Sequence, residues 1–191
     1  MMGKRLSEWL HNLSRGWVVT AAALVYLVFI ALVAPGQAAQ AEAYTGDAGS
    51  PDLSLFYSAE DLYHLAEVYG ERGRQAYVRA RFSYDLVFPL VYTLSLATAL
   101  GWLSRRAFAP ESRWQRANLV PVLAMLCDYG ENVSASLVMA RYPERTVMID
   151  WLAPAFTLLK WTFIGASFAL LLVGAAAALW GWTRSREVME R

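Results

Sequence analysis

Three polar residues lie in the middle of an otherwise apolar stretch, residues 117–140, and they are the strongest candidates for chemistry. Asp128, Glu131 and Asn132 are spaced i, i+3 and i+4, so a helix presents all three on one face. A carboxylate that faced lipid there would cost about 2.5 to 3.5 kcal/mol. The spacing therefore predicts that this face turns towards the protein interior or a water-filled cavity.

Residues elsewhere in the chain could complete a site around these carboxylates. Glu131 and Lys160 are each ten residues from the 141–150 turn, so an antiparallel hairpin brings them to similar depth. Lys160 is thus the first candidate counter-ion, unless it lies near the outer interface and extends its side chain to the head groups. Four further residues are expected to form the rim and wall of an outward-opening pocket: Asp85, Tyr92, Arg79 and Arg81.

Four functions fit this cluster. The leading hypothesis is a polar intramembrane pocket that binds a small or lipid-like ligand, a cation or a proton. The first alternative is a proton- or cation-coupled transporter that works as an oligomer. The second is a structural or accessory subunit in which the cluster only locks the helices together, through Lys160, Ser95 and Thr157. The third is an intramembrane acid–base enzyme, which lacks an obvious nucleophile or metal set.

Several other classes find little support in the composition. The lone cysteine, Cys127, cannot pair within the chain, and His11 and His64 fall in segments expected on opposite sides of a membrane. We therefore predict neither a metal site nor a cofactor. The motifs of serine hydrolases, zinc proteases and P-loop nucleotide-binding proteins are absent from the sequence. A net charge of +1 gives no basic field that would attract a nucleic acid.

The elements that must position these residues are transmembrane helices. The chain of 191 residues is 57% hydrophobic and 17% charged, which is typical of a membrane protein. A crossing needs roughly 20 apolar helical residues. Four stretches meet this requirement: 17–34, 84–103, 117–140 and 151–182. They predict an all-α integral membrane protein, a four-helix bundle that forms one domain over residues 1–191.

The orientation follows from the basic residues. The two termini and the 104–116 connection carry ten Lys and Arg, against six in the other two connections, which predicts that both termini are cytoplasmic. A bacterial inner membrane is the expected location. An alternative is that the first stretch is a cleaved secretory signal, because Lys4 and Arg5 precede it and Ala39-Gln40-Ala41 resembles a cleavage site.

Residues 35–82 form the predicted outer region between the first two crossings. A flexible linker is expected up to Pro51, followed by a helix that begins at Ser58, where Ser58 and Asp61 have the spacing of a capping box. Gly70 and Gly73 are expected to stop or bend that helix. In the last crossing, Gly165 with Ala169 and Gly174 with Ala178 suit close contact within the bundle or across a homo-oligomer.

Overall fold

The computed structural model describes residues 2–51 and 54–189, and the side chains of all of these except residues 2, 47 and 185–189. Every regular element in this part of the chain is helical, as the composition predicts. A π-helical turn, Phe29–Val33, joins the second α-helix to the third, and a 3-10 turn, Arg113–Leu119, precedes the sixth. The α-helices are α1 (Met2–Leu13), α2 (Gly16–Val28), α3 (Ala34–Thr45), α4 (Ala59–Arg81), α5 (Tyr84–Ala107), α6 (Val120–Arg141) and α7 (Ile149–Met189).

Within the described residues, three helical stretches are long and apolar enough to cross a membrane. They are Gly16–Thr45, Ala59–Ala107 and Ile149–Arg184, and they contain the first, second and fourth predicted crossings. The third predicted crossing, which corresponds to α6, does not reach the same mean hydropathy because its polar residues lower it. The protein is therefore all-helical, with three candidate membrane crossings.

The sixth helix packs against α4, α5 and α7 and is polar on its inner face. Its buried residues include Asp128, Glu131 and Asn132. A helix at a water interface has the opposite arrangement, with its polar residues outside. The side chains that α6 exposes before Arg141 are apolar, and they are Leu123, Leu126, Val133, Leu137 and Ala140.

The segment predicted as a flexible linker is helical over most of its length. The third helix continues from α2 through the π-helical turn and reaches Thr45. Pro35 directly follows the π-helical turn and lies in the first turn of α3, a position where helices tolerate proline. The alanines of residues 38–43 favour a helix. The prediction of a flexible linker was wrong because the helix propensity of these alanines outweighs the tendency of Gly and Pro to break a helix.

The fourth helix begins where the capping box predicts. The backbone N–H of Asp61 donates to Ser58 Oγ at 3.1 Å, and the backbone N–H of Ser58 donates to the Asp61 carboxylate at 2.8 Å. Gly70 bends this helix, with φ 61° and ψ −178°, a conformation that is essentially restricted to glycine. Gly73 lies under α3, since a Cβ there would be 3.0 Å from the Tyr44 carbonyl oxygen. The predicted start and the predicted bend are both confirmed.

The first half of α4 caps one end of α6 and α7. Leu62 and Ala66 of this half, together with Tyr77 after the bend, are completely buried in one cluster with Val138 and Met139 of α6. On the surface of this cap, the Arg145 guanidinium makes two hydrogen bonds to the Glu60 carboxylate, of 2.8 and 2.9 Å. This arginine holds the pKa of Glu60 below its ordinary value.

Candidate functional site

The three polar residues of α6 face the protein interior, as their spacing predicts. Asp128, Glu131 and Asn132 are 8%, 1% and 3% exposed. Gly130 allows α7 to approach this region closely, because a Cβ at this position would lie 2.9 Å from the ring of Phe156. The carboxylates are thus covered by the neighbouring helices.

The best-buried contact of the cluster is an ion pair between α6 and α7. Lys160 Nζ lies 2.5 Å from Glu131 Oε2, and both side chains are buried. The pairing of Glu131 with Lys160, which their equal distances from the hairpin turn predict, is therefore present. Thr157, which the sequence offered as a further partner, donates instead to the carbonyl oxygen of Ala153, at 3.0 Å.

Asp128 is held by a contact with α5. The Tyr92 hydroxyl donates a hydrogen bond to Asp128 Oδ2 at 3.1 Å. Helices α5 and α6 run in opposite directions. A second contact between them is a hydrogen bond of 2.8 Å that the Tyr129 hydroxyl donates to the carbonyl oxygen of Leu86. Asp128 and Glu131 therefore contact different helices although they lie on the same face of α6.

A second ion pair lies at the corner between α4 and α5. Arg81 Nη1 is 2.6 Å from Asp85 Oδ2, and the arginine is buried with its guanidinium 4.5 Å from the centre of the Tyr77 ring. Arg81 also donates to Ser50 Oγ at 3.2 Å. Asn132 Nδ2 donates to the Asp85 carbonyl oxygen at 3.3 Å, so the polar face of α6 reaches this corner.

The two arginines at the end of α4 have separate environments. Arg79 is exposed, donates to the carbonyl oxygen of Gln75 at 3.4 Å, and lines a different cavity, beside α3. Arg81 points towards the polar cluster instead. Of the two basic residues that the sequence offered, Arg81 is therefore the one beside Asp85 and Asp128.

A cavity of about 420 Å³ lies between α2, α5 and α7. Along α5 its lining runs from Asp85 to Ala99, which is about 21 Å at 1.5 Å per residue. Glu131 and Asn132 do not line it. Its polar end is formed by Arg81, Asp85, Tyr92, Asp128 and Lys160, and its mainly apolar remainder by Tyr26, Phe88, Ser95, Leu96, Ala99, Trp161, Ile164, Phe168 and Leu171.

Tyr92, which was predicted as part of the pocket wall, belongs to a row of aromatic rings that was not predicted. Tyr84, Phe88 and Tyr92 follow one another at every fourth position of α5, with ring centres 5.7 and 5.6 Å apart. Phe29 of the π-helical turn stacks on Tyr84 and Phe88 at 5.4 and 5.7 Å. The spacing of four was a usable signal in the sequence, whereas the contact with Phe29 depends on how α2 packs.

Trp161 was also missed. It lines the cavity next to Lys160, and its buried indole N–H has no hydrogen-bond partner among the described residues. A buried donor of this kind is usually satisfied in folded proteins, by protein or by ordered water.

No protein-family model, no curated protein and no solved structure matches the chain. Among residues 2–51 and 54–189, no three His, Cys, Asp or Glu side chains are arranged to hold a metal ion.

The formal charges of the cluster do not balance. Asp85, Asp128 and Glu131 bring three negative charges, and Arg81 and Lys160 bring two positive charges. The formal net charge of these five side chains is therefore −1.

Proposed function

We propose that the chain crosses the membrane four times, with α6 as the additional crossing and both termini in the cytoplasm. The apolar exposed face of α6 supports this, because those leucine and valine side chains would otherwise be in contact with water. The distribution of Lys and Arg supports the orientation. In this orientation the polar end of the cavity, beside the corner between α4 and α5, lies towards the outside.

The function that we propose is the binding of an amphiphilic small molecule with a cationic head group. The observation that carries this proposal is the cavity, which joins a charged end to an apolar length of α5 and α7. Its volume lies within the range of about 300 to 1,000 Å³ that ligand sites occupy. The head group would lie beside Asp128 and Tyr92, and the apolar tail would follow Leu96, Ile164 and Leu171.

The two carboxylates of α6 have different roles in this proposal. Asp128 lines the cavity and can meet a cation there. Glu131 lies behind Lys160 and holds the α6–α7 hairpin together.

The proposal can be tested with amphiphiles of one chain length. The purified protein, in phosphatidylcholine nanodiscs, is titrated with dodecyltrimethylammonium, dodecanol and dodecyl sulfate. Binding is followed by tryptophan fluorescence, and the Trp161→Phe variant identifies the part of the signal that arises in the cavity. We expect saturable binding of the cation, at least about tenfold tighter than that of dodecanol, which corresponds to about 1.4 kcal/mol.

Two variants and one control assign the binding to this cavity. Asp128→Asn removes the charge that meets the head group and should abolish the preference for the cation. Leu96→Trp fills the apolar part and should weaken all three probes. Glu144→Gln removes an exposed carboxylate from the turn before α7 and should leave binding unchanged. A preference for the cation that survives Asp128→Asn would refute the proposal.

The helix-locking alternative is favoured by one observation, the burial of the pair between Glu131 and Lys160. If the whole cluster served only to lock helices, Asp128→Asn would lower stability and the three amphiphiles would bind equally. If Asp128 serves a ligand, the same change removes the preference for the cation with a smaller loss of stability. Nothing in the described part of the chain specifically favours transport or enzymatic catalysis.

A further inference from the structure

A second cavity, of about 860 Å³, lies at the opposite end of the bundle from the α4 cap. It is enclosed by α1, the end of α5 and the 3-10 turn Arg113–Leu119. Its charged lining consists of Lys4, Arg105, Arg113 and Arg116 with Glu8 and Glu111, so its formal net charge is positive by two with histidine neutral. We refer to it as the basic cleft.

The walls of the basic cleft are fixed by hydrogen bonds. Ser7 Oγ donates to Asn118 Oδ1 at 2.8 Å, and Asn118 Nδ2 donates back to the Ser7 carbonyl oxygen at 3.0 Å. Gln115 Nε2 donates to the carbonyl oxygens of Ser104 and Phe108 at 3.2 and 3.0 Å. A site whose walls are already ordered loses less entropy when a ligand binds.

Tryptophan side chains place the basic cleft at the depth of lipid head groups. Trp9, Trp17 and Trp114 are exposed around it, and exposed tryptophans concentrate at the membrane–water interface. Helix α1 exposes Leu6 and Trp9 on one side, while its polar residues line the cleft on another. An amphipathic helix of this kind lies in the plane of the interface.

We propose that the basic cleft binds the phosphate head group of an anionic phospholipid. Arginine guanidinium groups match the geometry of phosphate oxygens, and basic pockets beside transmembrane helices are suited to anionic head groups. A free phosphate ester shares this chemistry, but the surrounding tryptophans favour a ligand that is anchored in the bilayer. The proposal does not depend on the ligand of the cavity between α2, α5 and α7.

The test uses the full chain in nanodiscs of phosphatidylcholine with a minor fraction of phosphatidylglycerol. Native mass spectrometry after extraction counts the phosphatidylglycerol molecules that the protein retains. We expect at least one to be retained in preference to phosphatidylcholine, with a preference that falls as ionic strength rises. The double variant Arg113→Gln, Arg116→Gln should reduce this preference about 30-fold, since each basic residue near an anionic surface contributes a factor of about five.

Controls separate the cleft from general charge effects and from unfolding. The double variant Arg72→Gln, Arg141→Gln removes two exposed arginines from the other end of the molecule and should retain wild-type preference. Arg113→Lys, Arg116→Lys keeps the charge and should retain most of it. Unchanged retention in the cleft double variant would overturn the proposal. Displacement of the lipid by equimolar glycerol phosphate would also overturn it, because the ligand would then be a soluble phosphate ester.

Discussion

Replacing Lys160 with methionine leaves the Glu131 carboxyl group in a position that is 1% exposed. Removing one partner of a buried ion pair costs about 3 to 5 kcal/mol, because the charged group that remains is still buried. We therefore expect Lys160→Met to lower the free energy of unfolding by about 3 to 4 kcal/mol, within the range for a broken buried ion pair.

The reverse replacement should cost less. Glu131→Gln leaves the Lys160 ammonium group, which lines a cavity of about 420 Å³ that is large enough for water. We expect a loss of about 1 to 3 kcal/mol, because water in the cavity can hydrate the ammonium group. The double variant Glu131→Leu, Lys160→Met should return to within about 1 kcal/mol of wild type, since replacing both partners of a buried pair by apolar residues is often neutral.

Unfolding in mixed micelles by increasing fractions of dodecyl sulfate, followed by circular dichroism, gives these free energies. The matched control is Leu159→Met, an exposed apolar substitution next to Lys160, which should stay within about 0.5 kcal/mol.

Additive effects would refute an interaction between the two side chains. If the losses of Lys160→Met and of the single variant Glu131→Leu sum to the loss of the double variant Glu131→Leu, Lys160→Met, the two side chains do not interact in the folded protein.

Three further predictions concern other parts of the fold. Gly70→Ala should lower stability by about 1 to 3 kcal/mol in thermal unfolding, because alanine does not readily adopt φ 61° with ψ −178°. Gly101→Ala should loosen α1 and speed its digestion by trypsin, since the new Cβ would lie 2.3 Å from Ser14 Oγ, and Ser14→Ala should partly reverse this. Arg145 lowers the pKa of Glu60, so their pair stabilises the fold above the ordinary pKa of glutamate and stops doing so as the pH falls through the lowered value. Melting curves from pH 7 to 3 should show a smaller loss of stability in acid for Arg145→Gln than for wild type.

The features that the sequence predicts correctly depend on short-range geometry. The burial of Asp128 and Glu131 follows from helical spacing, and the pairing with Lys160 follows from the symmetry of a hairpin about its turn. The start of α4 follows from hydrogen bonds between Ser58 and Asp61, which are three residues apart. None of these inferences requires knowledge of how distant helices pack.

The features that it could not predict depend on long-range packing. Arg79 and Arg81 are two positions apart on a helix and so point to nearly opposite sides, but the bend at Gly70 and the direction of α4 decide which one faces the cluster. The cavity depends on where α2 lies relative to α5 and α7, and Ala22 is the buried residue of α2. A helix that is apolar all round gives no sequence signal for the side that faces its neighbours.

The polar face of α6 has a consequence for how the protein enters the membrane. On the four-crossing proposal, α6 brings two carboxyl groups into the bilayer, while the lysine that pairs with Glu131 is made 29 residues later in the chain. An isolated helix with these carboxyl groups would leave the translocon for lipid at a cost of about 2.5 to 3.5 kcal/mol for each charge. The favourable route is for α6 to wait at the translocon until α7 has been synthesised, so that the two helices insert together as one hairpin.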